Sequence, residues 1–218
     1  MSKAMTDDGR KWKKAALSGL VGALFGGAGV SLMMWLAGGG LLDAMGPSRI
    51  ILAGVGLIYL LVTIMIGLGL AAPRAGAKLL NVDDAEELVD DRPKLLGSAL
   101  YMGLIGLTLI LIALAQAPGF DLGPVAPGVA LAALAVLLIA SLLSFRWFRI
   151  YDEFDRQLGV EGGSWAFLIA CAVLLPWGAL GALGRAAPMS AIDVMSVLAA
   201  SLMGGSFVAI GKRGMMVR

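Results

Sequence analysis

The chain has 218 residues, of which 59% are hydrophobic and 15% charged, with a net charge of +2 and a mean hydropathy of +0.90. A soluble domain of this length carries nearer a quarter of charged residues, so the composition points to one all-α polytopic membrane domain over residues 1–218. Zero histidines exclude His-ligated haem, His-dependent zinc chemistry and a Ser–His intramembrane protease, and the lone Cys171 leaves no disulfide or Cys-based metal site.

Six apolar runs set the expected architecture: roughly 15–39, 50–72, 95–117, 125–144, 164–184 and 191–211. None contains Lys, Arg or Glu, and Asp193 is the single acid among them. Each approaches the ~20 residues that a helix needs to cross a bilayer. A basic segment precedes the first run, but the uncharged stretch from Ala15 to Leu42 is longer than the ~7–15-residue core of a cleaved signal, so a retained span is expected. Within it, Ser18, Gly22 and Gly26 form one small-residue ridge, and Gly19, Ala23, Gly27 and Ser31 a second. Such ridges let backbones approach closely, which marks this span as the expected packing element.

The connections alternate in charge. Lys3, Arg10, Lys11, Lys13 and Lys14 precede the first span; Arg74, Lys78, Arg92 and Lys94 follow the second. Arg146, Arg149 and Arg156 follow the fourth, and Lys212, Arg213 and Arg218 follow the sixth. The remaining connections hold only Arg49 and Arg185. Under the positive-inside rule both termini are expected in the cytoplasm. The other connections (38–49, 117–124 and 184–190) are short and rich in Gly and Pro, as tight reversals require. Ser190 and Asp193 have capping-box spacing, which places Asp193 in the first turn of the last span, with Arg185 as an expected partner.

Two charged segments share a spacing. Glu86-Glu87-Leu88, Gly97-Ser98 and Tyr101 are matched 66 residues later by Asp152-Glu153-Phe154, Gly163-Ser164 and Phe167. Asp7-Asp8-Gly9 leading to Ser18-Gly19 is a fainter third copy. Three transmembrane hairpins, each entered from an acidic cytoplasmic segment, are therefore expected. The six acids between Asn81 and Pro93 lack the ligand spacing and central Gly of a calcium loop and read as a short solvated helix capped by Asn81 or Asp83. The P-x-[DE]-x-x-[KR] signature of three-hairpin mitochondrial carriers is absent.

The most patterned polar stretch runs from Arg146 to Leu158. Trp147, Ile150, Tyr151, Phe154 and Leu158 recur at helical spacing, and Arg149 with Glu153 and Asp152 with Arg156 are oppositely charged pairs four apart. A continuation of the fourth span, or a helix in the headgroup region, is expected. Arg146, Trp147, Arg149, Tyr151, Asp152, Glu153, Phe154 and Arg156 are the candidate surface for docking a protein partner or an anionic lipid. The run Asp152-Glu153-Phe154-x-Arg156-Gln157-Leu158 followed by Glu161 resembles a D-E-F-x-R-[RQ]-[IL]-x-x-E segment of small multi-pass bacterial membrane proteins without assigned activity. The resemblance covers about 16 residues and implies a bacterial inner-membrane location.

Pro176, with Gly178, Gly181 and Gly184, is expected to bend the fifth span. Trp12, Trp35, Trp147 and Trp165 fall near expected interfaces and Trp177 does not. Ionisable groups at depth mark most transport and catalytic sites, and this chain has none there. The expected function is that of a non-catalytic accessory, scaffold or assembly protein, self-associating or bound to a partner, with no cofactor, metal or nucleic acid. A channel or transporter for a small neutral solute would instead gather Ser31, Thr63, Ser98, Tyr101, Thr108, Ser141, Ser196 and Ser201 around a cavity. An enzyme would have to draw on Glu86, Glu87, Asp90, Asp91, Asp152 and Glu153.

Overall fold

The computed structural model describes residues 40–71, 90–147 and 151–213. The first expected span, with Ser18, Gly19, Gly22, Ala23, Gly26 and Gly27, lies outside the described residues, as do Asn81, Glu86, Glu87 and Arg149. Two compact units divide the chain at Asp43, and all that follows concerns the second, apart from the start of its first helix.

Five helices are described: α1 (Leu41–Ala71), α2 (Arg92–Leu114), α3 (Pro127–Trp147), α4 (Glu153–Ala182) and α5 (Ala191–Lys212). No strand occurs among the described residues. Each helix is long and apolar enough to cross a membrane, as in a multi-pass helical membrane protein. α1 begins nine residues before its expected start at 50, but it is two pieces. Gly46 adopts φ 69° and ψ 167°, a conformation suited to glycine, and Pro47 follows. Proline disfavours a helical residue before it and fits the first helical position, so the long apolar segment restarts at Pro47.

Contacts fix the directions of the helices. Arg49 meets the end of α2 at Ala113 and Ala115, while Thr63 reaches back to Ala99 near its start, so α1 and α2 are antiparallel. Tyr101 pairs with Ser141, and Thr108 with Ala133, setting α3 antiparallel to α2. Glu161 meets Arg213, and Trp177 meets Ala187 just before α5, so α4 and α5 are antiparallel. Tyr59 on α1 reaches Ala199 on α5, and Lys94 on α2 reaches Asp155 on α4. Two opposite ends result. One gathers Arg92, Lys94, Arg146, Arg156, Lys212 and Arg213 with Asp91, Asp152, Glu153, Asp155 and Glu161; the other holds Arg49, Asp121, Arg185 and Asp193.

Small residues make the close contacts. A side chain at Gly56 would lie 2.8 Å from the Gly106 carbonyl, and one at Gly106 would lie 2.6 Å from the Gly56 carbonyl. On α4 the buried residues are Gly162, Ala166 and Ala170, one small residue per turn; Ser201, Gly205 and Ala209 make the facing ridge on α5. A Cβ at Gly205 would collide with the backbone of Gly162 and Ala166. With lipid on the outside there is no hydrophobic drive between helices, and such backbone approach supplies dispersion contact instead.

A shift of 66 residues carries α2 onto 158–180, within α4, and α3 onto 193–213, one or two residues from the bounds of α5. The packing does not follow the shift. The counterparts of Gly162 and Gly205 are Leu96 and Ile139, 47% and 58% exposed.

One expectation is corrected by the structure. The stretch from Arg146 to Leu158 is not one helix: α3 ends at Trp147, residue 151 lies in a bend, and Asp152 caps α4 by accepting from the Asp155 N–H at 2.8 Å. The apolar spacing therefore does not lie on one helix, because a new helix starts after Asp152. Asp152 turns to the free N–H groups of the first turn, which an aspartate at this position satisfies at low cost. α4 continues through Pro176 and ends in a Schellman turn. Leu183 is the last cap, Gly184 has φ 67°, and Arg185 N–H donates to the Leu180 carbonyl at 2.8 Å.

Candidate functional site: the charged end and the hydroxyl layer

At the charge-rich end, Lys94 in the first turn of α2 places its Nζ 3.1 Å from Asp155, 3.4 Å from Asp91 and 3.8 Å from Asp152. Acids at the starts of α2 and α4 and bases at the ends of α3 and α5 each complement the local helix dipole. Arg213 directs Nε and Nη2, both at 3.0 Å, to Glu161, and its guanidinium covers Phe154 at 5.2 Å. Lys212 sits over Trp165 at 4.6 Å. These groups join α2 to α4 and α4 to α5. Each is about one-third exposed or more accessible, where an ion pair contributes ~0.2–1 kcal/mol.

Of the candidate docking residues, Asp152 and Phe154 enter these contacts. Glu153 and Arg156 lie exposed in the first turn of α4, Arg146 lies exposed in the last turn of α3, and Tyr151 is half-buried in the bend. They do not form the single amphipathic face that their spacing suggested. Among the described residues, no three His, Cys, Asp or Glu side chains are grouped so as to hold a metal ion.

At the opposite end the capping box is formed. The Ser190 hydroxyl accepts from the Asp193 N–H at 3.1 Å, and Asp193 accepts from the Ser190 N–H at 2.9 Å. The Ser190 hydroxyl lies 2.8 Å from the Asp193 carboxylate as well, so Ser190, rather than the expected Arg185, is its partner. Trp177, in the last turns of α4, donates to the Ala187 carbonyl at 3.0 Å and so ties α4 to the connection before α5.

Between the ends, the hydroxyls are taken up by helix contacts. Tyr59, 1% exposed, donates to the Ala199 carbonyl at 2.9 Å. Thr63 is shared between the Tyr59 carbonyl at 2.9 Å and the Ala99 carbonyl at 3.2 Å. Ser141 donates to Leu137 and meets Tyr101 at 2.8 Å; Ser196 donates to Ile192 at 2.9 Å. Thr108 is buried against the Ala133 carbonyl, Ser98 is exposed, and Ser31 lies outside the described residues. Among the described residues no buried side-chain nitrogen or oxygen lacks a hydrogen-bond partner. The hydroxyls are spread over four helices and mostly turned to carbonyls, which leaves little to bind a solute.

Sequence reasoning missed Lys94, Glu161, Arg213, Arg49 and Tyr59 as contact-makers. The first three were visible only as opposite charges in separate segments. The small ridge at 162–170 carried the same signal as that in the first span. No family model matches the chain, and neither a curated protein nor a solved structure matches it.

Proposed function

We propose that this protein is a non-catalytic accessory, scaffold or assembly protein of the bacterial inner membrane. The observation that carries this reading is the hydroxyl layer, whose polar atoms are used in holding helices together. The charged side chains at the bundle's ends act in the same way, as ties between helices. The resemblance of 152–161 to bacterial membrane segments supports the location.

In this reading six spans form three hairpins, and the charge-rich end, with both termini, faces the cytoplasm, as the bias of Lys and Arg favours. Topology reporters fused near Glu153 should read cytoplasmic and those near Gly119 periplasmic; the reverse pattern would overturn the orientation.

The function itself is tested by purifying the tagged full chain from its native membrane in mild detergent. A second protein, or a second copy of the chain, is expected at fixed stoichiometry. Recovery as a lone monomer would contradict a scaffold role, and loss of a measurable turnover on neutralising Asp152 and Glu153 would favour an enzyme instead.

A further inference from the structure

Arg49 is a charged side chain near one end of the bundle whose partners among the described residues include no carboxylate. Its Nη1 donates to the carbonyls of Ala113 and Ala115 at 2.9 Å each, with Ile112 at 3.4 Å, and its guanidinium covers the Phe120 ring at 4.4 Å. The carbonyls are those left free where α2 ends, so the cation also meets the negative end of a helix dipole. Phe120 is 4% exposed although it stands in a connection between helices.

The connection 115–126 is tied to itself and to α2. Gln116 N–H donates to the Val125 carbonyl at 2.9 Å, Val125 N–H to the Leu114 carbonyl at 3.3 Å, and Phe120 N–H to the Ala117 carbonyl at 2.8 Å. Gly119, at φ 82°, turns the tip. Gly123 packs so closely that a side chain there would lie 2.7 Å from the Leu114 carbonyl. Pro118 and Pro124 stiffen the limbs. None of these ties reaches α1; Arg49 supplies that one.

We propose that residues 115–126 form a strap over the charge-poor end of the bundle, and that Arg49 is the latch fastening it to α1. The strap opens as a unit when the latch is released, while the Gly56–Gly106 contact keeps α1 and α2 together below it.

The test uses the full-length protein in detergent, with Cys171→Ser as background and a single thiol introduced by Ala115→Cys or, as a reference at a buried site near the opposite end of α2, by Ala99→Cys. A water-soluble maleimide reads how often each thiol is accessible. Arg49→Gln should raise the rate at position 115 by about tenfold or more, because charge-assisted bonds are lost and local opening becomes more frequent. The rate at position 99 should stay unchanged, and Arg49→Lys should give a smaller rise at 115. An unchanged rate at 115, or an equal rise at both positions, would overturn the latch.

Discussion

Gly205 and Gly163 have opposite surroundings. Gly205 abuts the backbone of α4, whereas a side chain at Gly163 meets nothing within 4 Å. Gly205→Val should therefore force α4 and α5 apart at a cost of ~1–3 kcal/mol or more, as overpacking does. Gly163→Ala should be neutral or stabilising by up to ~1 kcal/mol, since alanine is the better helix former. Thermal unfolding midpoints of the two variants in the same detergent separate these outcomes; equal destabilisation would contradict the packing described. Residue-level roles were partly legible in the sequence. Ser190 and Asp193 announce their cap because it is local, four residues long and set by backbone geometry. Arg49 gave no such signal, because its partners lie more than 60 residues away.

Helix boundaries moved for identifiable reasons. Apolar composition marks where lipid is met, not where a helix begins, so α4 starts eleven residues before its uncharged run, at Glu153. The cap at Asp152 was the available sign, hidden by apolar spacing that continues across the break. α1 shows the converse: Gly46 and Pro47 fell inside an expected turn, and the turn proved to hold a short helical piece, Leu41–Met45, before the kink. At the start of α5, Ser190→Ala removes the hydroxyl that accepts from Asp193 N–H, and a loss of ~0.5–2 kcal/mol is expected. Chemical denaturation in mixed micelles measures it. No loss would mean that the Asp193 carboxylate, accepting from the Ser190 N–H, holds the helix start without the hydroxyl.

The whole molecule separates its charges from its length. Among the described residues, ionisable side chains other than Tyr59, Tyr101, Glu161 and Cys171 sit at or near helix ends or in connections, and most hydroxyls between them serve carbonyls of their own or a neighbouring helix. The class was legible because hydropathy reports directly on a bilayer. Which helices touch was not legible, because small residues occur on every span and only the fold selects the ridges that meet. Gly162, Ala166 and Ala170 were as visible as Gly22 and Gly26, yet nothing local marks a partner. The proposed structural role is tested most directly by solute permeability. Vesicles containing the purified protein should shrink and re-swell in a glycerol or urea gradient at the rate of protein-free vesicles. A faster rate with protein present, lowered by Thr63→Val, would contradict a closed structural bundle and favour a solute path.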